Sequence, residues 1–162
     1  MTVRNCPMEF LELELEKLRV MGQKFTLINK RKSKSGFFAV ADVVIEPSIL
    51  KALPDKIYGR PFPGLNIDSL PLFVPIATQA KGQTLVHDWP YENRAVYSLE
   101  FQKLGANVIL MDPHRLLVQG PTKLMGNEVV CPPAIRPGMA TVPSTPQDSR
   151  RSTSSGSSTV HT

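Results

Sequence analysis

This sequence of 162 residues has few cysteines, and it lacks metal-ligand clusters and long apolar runs. Its two cysteines, Cys6 and Cys131, are too few for a disulfide framework, and no Cys-x-x-Cys pair occurs. No apolar run approaches the roughly 20 residues of a membrane-spanning helix, and the N-terminus has no signal-peptide core. We therefore expect a soluble, cytoplasmic protein in a reducing compartment, with no membrane partner.

Metal and nucleic-acid sites are also disfavoured. His87 and His114 do not stand at metal-ligand spacing, so we expect neither a metal nor a cofactor. The net charge of +5 admits phosphorylated partners, but the one dense basic cluster, residues 30–34, lies between two apolar stretches. Its position before Gly36 favours a hairpin turn, and no aromatic residues interleave with it as in an RNA-binding surface.

The composition and the apolar spacing of the sequence indicate an α/β domain. Hydrophobic residues make up 41% and charged residues 20%, as in globular proteins. Apolar spacing predicts helices over residues 8–21 and 94–104, the second burying Val96, Leu99, Phe101 and Leu104. A third helix follows Asp68, with a kink or late start near Pro75. Strands are predicted at residues 25–28, 37–40, 43–45, 84–87, 107–111, 116–118 and 127–130.

Asp68 and Arg94 each stand where a loop meets a predicted helix. Asp68 precedes the apolar run from Leu70 to Ala80 and is a plausible N-cap, and Arg94 opens the second helix. In α/β folds such junctions gather at one edge of the sheet, where ligands bind. We therefore expect these two side chains to lie close together.

Short motifs follow one another from residue 62 to residue 122. They read Pro63-Gly64-Leu65-Asn66-Ile67-Asp68, Ala77-Thr78-Gln79-Ala80-Lys81-Gly82-Gln83-Thr84, Glu92-Asn93-Arg94, Leu104-Gly105-Ala106-Asn107, Asp112-Pro113-His114-Arg115 and Gly120-Pro121-Thr122. Each is weak alone. In this order and spacing they resemble the enolpyruvyl transferases, most closely the branch that acts on a UDP-sugar. The resemblance runs from about residue 7 to about residue 140.

The resemblance implies an α/β fold that is a portion of an inverted α/β barrel. In this family each of two domains is built from three α/β units. Residues 1–61 are then the end of one unit, and residues 62–140 are a second unit that carries the Asp68 site. Residues 141–162 are rich in Ser and Thr and are expected to be disordered. Because the family pattern is lost after Ala140, we expect a truncated or frame-shifted product.

The resemblance also implies a function. The UDP-sugar branch of the family transfers the enolpyruvyl group of phosphoenolpyruvate to the 3-hydroxyl of UDP-N-acetylglucosamine, the first committed step of peptidoglycan synthesis. Asp68 matches the aspartate that binds the sugar and takes the hydroxyl proton. Pro90 matches a main-chain contact to the sugar nucleotide. Arg94 is expected to neutralise the diphosphate or a neighbouring carboxylate, and Arg136 matches a further arginine of the cleft.

Other interpretations of these residues remain open. From the residues alone, Asp68 is a plain N-cap, Pro90 stiffens a loop and Arg94 forms a surface salt bridge. Neither cysteine has the setting of the family's proton donor, and the family's Lys-Asn pair for phosphoenolpyruvate has no match. We therefore expect the chain alone to be inactive. The alternatives are 3-phosphoshikimate 1-carboxyvinyltransferase activity and a non-catalytic fragment that binds phosphate or RNA.

Overall fold

The computed structural model describes residues 1–130 and Ala140. Short helices alternate with strands along this part of the chain. The elements in order are β1 (Thr2–Pro7), α1 (Met8–Val20), β2 (Phe25–Lys32), β3 (Ala39–Ile45), β4 (Ile57–Tyr58), a 3-10 helix (Leu70–Leu72), α2 (Phe73–Gln79), β5 (Gly82–His87), a second 3-10 helix (Arg94–Leu99), α3 (Glu100–Lys103), β6 (Asn107–Asp112) and β7 (Arg115–Gly120).

The first sheet contains three antiparallel strands in the order β1-β3-β2. The predicted hairpin around the basic turn is confirmed, with Phe25 opposite Ile45 and Lys32 opposite Ala39. Two details were wrong. The predicted strands at residues 37–40 and 43–45 are one strand, β3, which begins only at Ala39, and Phe37 is 91% exposed in the turn before it. Strand β1 was not predicted, because its residues alternate poorly and most are exposed.

Helix α1 confirms the first predicted helix. It ends near Gly22, whose φ of 91° suits the left-handed backbone that follows many helices. No residue within α1 is fully buried, although Met21, just beyond it, is. Leu13 and Leu18 are partly buried against the main core. The helix therefore contributes one apolar edge to that core.

The second sheet has the strand order β4-β5-β7-β6. Strand β4 runs parallel to β5, and the other neighbours are antiparallel, including β6 and β7, two predicted strands that pair as a hairpin. The strand predicted at residues 127–130 is absent from this described part of the chain. Instead, Asn127 donates to the carbonyl oxygen of Lys103, and the Val130 N–H donates to the Glu100 carboxylate. These bonds to α3 replace pairing at the sheet edge.

Helix α2 begins late, as Pro75 predicted. A 3-10 turn comes first, so Pro75 lies in the first turn of α2, where its missing N–H removes no helical bond. The C-terminal end of α2 packs closely on Gly120 at the end of β7. A Cβ atom there would lie 2.5 to 2.7 Å from the carbonyl oxygens of Ala80, Ala77 and Thr78. Only glycine allows this approach.

The helix predicted over residues 94–104 is divided into a 3-10 helix and the short α3. Val96, predicted to be buried, is 38% exposed. The reason is the 3-10 geometry: residues three apart share a face, so Ala95 and Ser98 point inward together and Val96 does not. Phe101 and Leu104 are buried as predicted, and Leu99 is only partly buried.

The main core lies between the helices and the second sheet. It contains Ile57, Leu70, Phe73, Val86, Phe101, Leu104, Val108, Leu116 and Val118. None of the helices among the described residues has the length and apolar character needed to span a membrane. The division at residue 61 stays a prediction, and β4, from the first predicted unit, pairs with β5 across it. The predicted disordered tail lies outside the described residues.

Candidate functional site

A buried ion pair between Asp88 and Arg94 is the centre of the site. Asp88 follows β5 and Arg94 begins the second 3-10 helix. Arg94 donates from Nε to Asp88 Oδ2 and from Nη2 to Asp88 Oδ1, the second at 2.6 Å. Only 5% of the Asp88 side chain and 7% of the Arg94 side chain are exposed. Such two-bond pairs fix the plane of the guanidinium as well as its position.

Arg94 also holds the loop that carries Asp68. Its Nη2 donates to the carbonyl oxygen of Ile67 at 2.7 Å. Its Nη1 lies 3.9 Å from Asp68 Oδ1, the distance of an ion pair and not of a hydrogen bond. The ring of Tyr91 covers the guanidinium, with its centroid 4.2 Å from the central carbon. The expected proximity of Asp68 and Arg94 is therefore confirmed.

Asp68 is not the N-cap that the sequence predicted. The 3-10 helix begins at Leu70, so Ser69 occupies the N-cap position, and no side chain caps the helix. Asp68 lies one residue earlier in a turn, where its own N–H donates to the Asn66 side-chain oxygen at 2.9 Å. Its side chain is 36% exposed. The carboxylate is therefore partly open to solvent beside a buried cation.

The Asp68 loop rests on the end of β4. A Cβ atom at Gly59 would lie 2.5 Å from the Ile67 side chain, so this glycine permits the loop to pack closely. Arg60 N–H donates to the Leu65 carbonyl oxygen at 2.9 Å. Trp89 donates from its indole N–H to the Gly59 carbonyl oxygen at 2.8 Å, which ties the Pro90 loop to the same strand end.

Pro90 lines a groove beside this loop. The groove has a volume of about 530 Å³, within the usual range for small-molecule sites. Asn66, Ile67 and Trp89 line it on the side of the Asp68 loop. Helix α1 contributes Glu9, Glu12 and Glu14 to its lining, and Arg60 adds one positive charge. Because the three acidic residues outnumber Arg60, an anion is disfavoured beside α1.

The turn between β6 and β7 is attached to the same centre. The N–H of Asp88 donates to the His114 carbonyl oxygen at 2.7 Å, and His114 Nδ1 lies 3.2 Å from the Asp88 carbonyl oxygen. Asp112 closes the turn by accepting the N–H groups of His114 and Arg115, and the guanidinium of Arg115. These bonds, first that of His114, lower the pKa of Asp112. Arg115, the first residue of β7, thus helps to hold the turn closed.

Sequence reasoning missed Asp88. An aspartate between a strand and Trp89 gave no sign of burial, because aspartate is seldom buried without a partner. The signal that could have found it is the spacing to Arg94, which lies six residues away across a loop. Arg136 and Cys131 lie outside the described residues. Within residues 1–130, no three His, Cys, Asp or Glu side chains gather as around a metal ion.

Comparison with known proteins places the chain among its relatives. No protein-family model matches the chain. A UDP-N-acetylglucosamine 1-carboxyvinyltransferase of Treponema denticola is 39% identical over 87 residues, covering 54% of this chain and 20% of the relative. One from Bacteroides fragilis is 32% identical over 142 residues, covering 86% of this chain and 32% of the relative. The chain is related to part of an enolpyruvyl transferase.

The solved structures support the same relationship at the level of the fold. The crystal structure of the enolpyruvyl transferase NikO from Streptomyces tendae matches 76% of this chain with a TM-score of 0.52 and 19% identity. The match covers 26% of that chain. The predicted fold class, a portion of an enolpyruvyl transferase fold with mixed α/β structure, is confirmed. The chain spans no more than about a third of the length of the curated relatives named above.

Proposed function

We propose that this chain provides the sugar side of a UDP-N-acetylglucosamine 1-carboxyvinyltransferase site, with Asp68 as the general base. The observation that carries the proposal is the placement of the Asp68 carboxylate. It is partly exposed, 3.9 Å from a buried arginine, on a loop that Arg94 and the end of β4 hold in place. A base needs this combination of solvent access and fixed position.

The proposed reaction begins at the sugar. Asp68 accepts the proton of the 3-hydroxyl as the oxygen forms a bond to C2 of phosphoenolpyruvate. An acid from elsewhere in the complete enzyme protonates C3. A base of the complete enzyme then removes a C3 proton, which restores the double bond as the C–O bond to phosphate breaks, giving the enol ether and phosphate. Within this scheme the described residues act only at the first step, by orienting the hydroxyl and taking its proton.

Arg94 contributes to this site by pairing with carboxylates. Its fork is occupied by Asp88, and the remaining nitrogen faces Asp68. Of the two roles expected for it, this arrangement favours the neighbouring carboxylate over the diphosphate. Pro90 has no N–H, so we propose that its carbonyl oxygen contacts the sugar nucleotide. A contact from Arg136 stays a prediction from the sequence.

We propose that the chain alone has no catalytic activity. The described residues contain one cysteine, Cys6, which is buried in the first sheet with its thiol 3.5 Å from the Val3 carbonyl oxygen. It is therefore too enclosed to act as a proton donor to substrate. In the same proposal, the complete enzyme uses phosphoenolpyruvate as its second substrate and is located in the cytoplasm. It acts in peptidoglycan synthesis, and through it in cell shape and division.

A binding experiment separates the proposal from its alternatives. Isothermal titration of the full chain with UDP-N-acetylglucosamine should show saturable binding that shikimate 3-phosphate does not compete away. Competition by shikimate 3-phosphate would favour the 3-phosphoshikimate branch. Binding of RNA that weakens steeply with salt, without binding of the nucleotide sugar, would favour a phosphate-binding fragment. Steady phosphate release by the purified chain given both substrates would contradict its proposed inactivity.

A further inference from the structure

Asp88 lies where three motif-bearing segments meet. Its carboxylate binds Arg94, and its backbone N–H and carbonyl group both contact His114 in the β6–β7 turn. Through Arg94 the same carboxylate reaches the carbonyl oxygen of Ile67, the residue before Asp68. No other carboxylate among the described residues accepts both bonds of a buried arginine fork.

We propose that Asp88 is a positioning residue for the base, acting on Asp68 through Arg94. The inference rests on the proposed function of Asp68 and adds the residue that sets its geometry. Two parallel bonds from Asp88 hold the guanidinium in one plane. In that plane Nη2 binds the Ile67 carbonyl oxygen, and Nη1 faces the Asp68 carboxylate.

Burial makes this arrangement depend on Asp88. With 5% of the Asp88 side chain exposed, water has little access to replace its oxygens on Arg94. If asparagine stands in place of Asp88, the guanidinium keeps its charge but loses one of two matched acceptors. It can then turn toward other oxygens, and the Ile67–Asp68 backbone loses its fixed donor. The expected consequence is a loop that moves while the rest of the fold stays formed.

Asp42 provides a matched control. It is also a buried aspartate with an arginine partner, since Asp42 Oδ1 lies 3.2 Å from Arg31 Nη2, and its side chain is 9% exposed. It lies in β3 of the other sheet, away from the Asp68 loop. Asp42→Asn therefore removes a similar buried charge without touching the proposed site.

The first test needs no ligand. Hydrogen–deuterium exchange is measured on the full chain as wild type, Asp88→Asn and Asp42→Asn, each at the same interval below its own melting temperature. The peptide over residues 60–70 should exchange about tenfold faster in Asp88→Asn and at the wild-type rate in Asp42→Asn. An unchanged rate in Asp88→Asn, or an equal increase in both variants, would overturn the proposal.

The second test measures coupling to Asp68. Asp88→Asn should weaken the Kd for UDP-N-acetylglucosamine about tenfold, a usual size for coupling within one hydrogen-bonded network. In an Asp68→Ala background the same change should have no further effect, because its influence passes through Asp68. Additive effects would mean that Asp88 only stabilises the fold, and the positioning role would be wrong.

The two tests separate the two proposals. If the wild-type chain does not bind the nucleotide sugar, the proposed function fails, but the exchange measurement still decides whether Asp88 fixes the loop. If Asp88→Asn does not fold, Arg94→Lys takes its place, because lysine keeps the charge and cannot bind Asp88 and Ile67 together. It should raise exchange over residues 60–70 in the same way, and a wild-type rate would overturn the proposal.

Discussion

Removing the Arg94 side chain should destabilise the protein far more than removing an exposed arginine. In Arg94→Met the apolar stem is kept, but Asp88 is left as a buried charge with its partner gone. Loss of one member of a buried pair costs about 3–5 kcal/mol. The upper part of that range applies here, because the Asp88 side chain is 5% exposed and Arg94 also supplies the donor to Ile67.

Urea unfolding followed by circular dichroism measures this cost. With a slope of about 2 kcal/mol per M, the midpoint should fall by roughly 2 M. Arg19→Met is the control, because Arg19 pairs with Glu16 on the surface with 69% of its side chain exposed, and such pairs contribute about 0–1 kcal/mol. Adding Asp88→Asn to Arg94→Met should restore part of the loss. Equal midpoints for Arg94→Met and Arg19→Met would refute the reasoning.

Two further predictions concern packing and pH. Gly120→Ala should cost about 1–3 kcal/mol in the same urea assay, because its Cβ would meet three carbonyl oxygens. Gly126→Ala is the control: a Cβ there has nothing within 4 Å, so stability should change by less than about 0.5 kcal/mol. Similar costs for the two variants would contradict the packing argument. The Asn29 side-chain amide, followed by the Asn5 N–H, lowers the pKa of Asp42 from 3.8 to about 2. Folding therefore favours the ionised form, and the stability it adds is complete above pH 3.8 and is lost as the pH falls toward 2. Melting temperatures from pH 2 to 6 should fall less steeply on acidification in Asp42→Asn than in wild type, and parallel curves would show that this carboxylate contributes nothing.

Local patterns predicted most of the elements. The leucine spacing of α1, the hairpins around the basic turn and around Asp112, and the late start at Pro75 all follow from rules that act over a few residues. Strand β1 and the absence of a strand at residues 127–130 do not. They depend on pairing with β3 and on bonds to α3, which join distant parts of the chain.

The site was predicted in part for the same reason. The junction argument brought Asp68 and Arg94 together, but Asp68 was placed one position too close to the helix, since Ser69 and the 3-10 turn intervene. Asp88 was missed because nothing local marks it as buried. Its burial is stabilised only by a partner across a loop, a tertiary contact that a linear pattern does not show.

A thermal melt with and without UDP-N-acetylglucosamine tests the central claim most directly. At a ligand concentration 100 times Kd, binding to the folded chain adds about 2.7 kcal/mol of stability, so the cooperative transition should move to higher temperature. In Asp68→Ala, where binding is weaker, the same ligand concentration should shift the transition much less. A wild-type transition that the nucleotide sugar does not shift, or an equal shift in Asp68→Ala, would contradict the claim that Asp68 forms a sugar site in this chain.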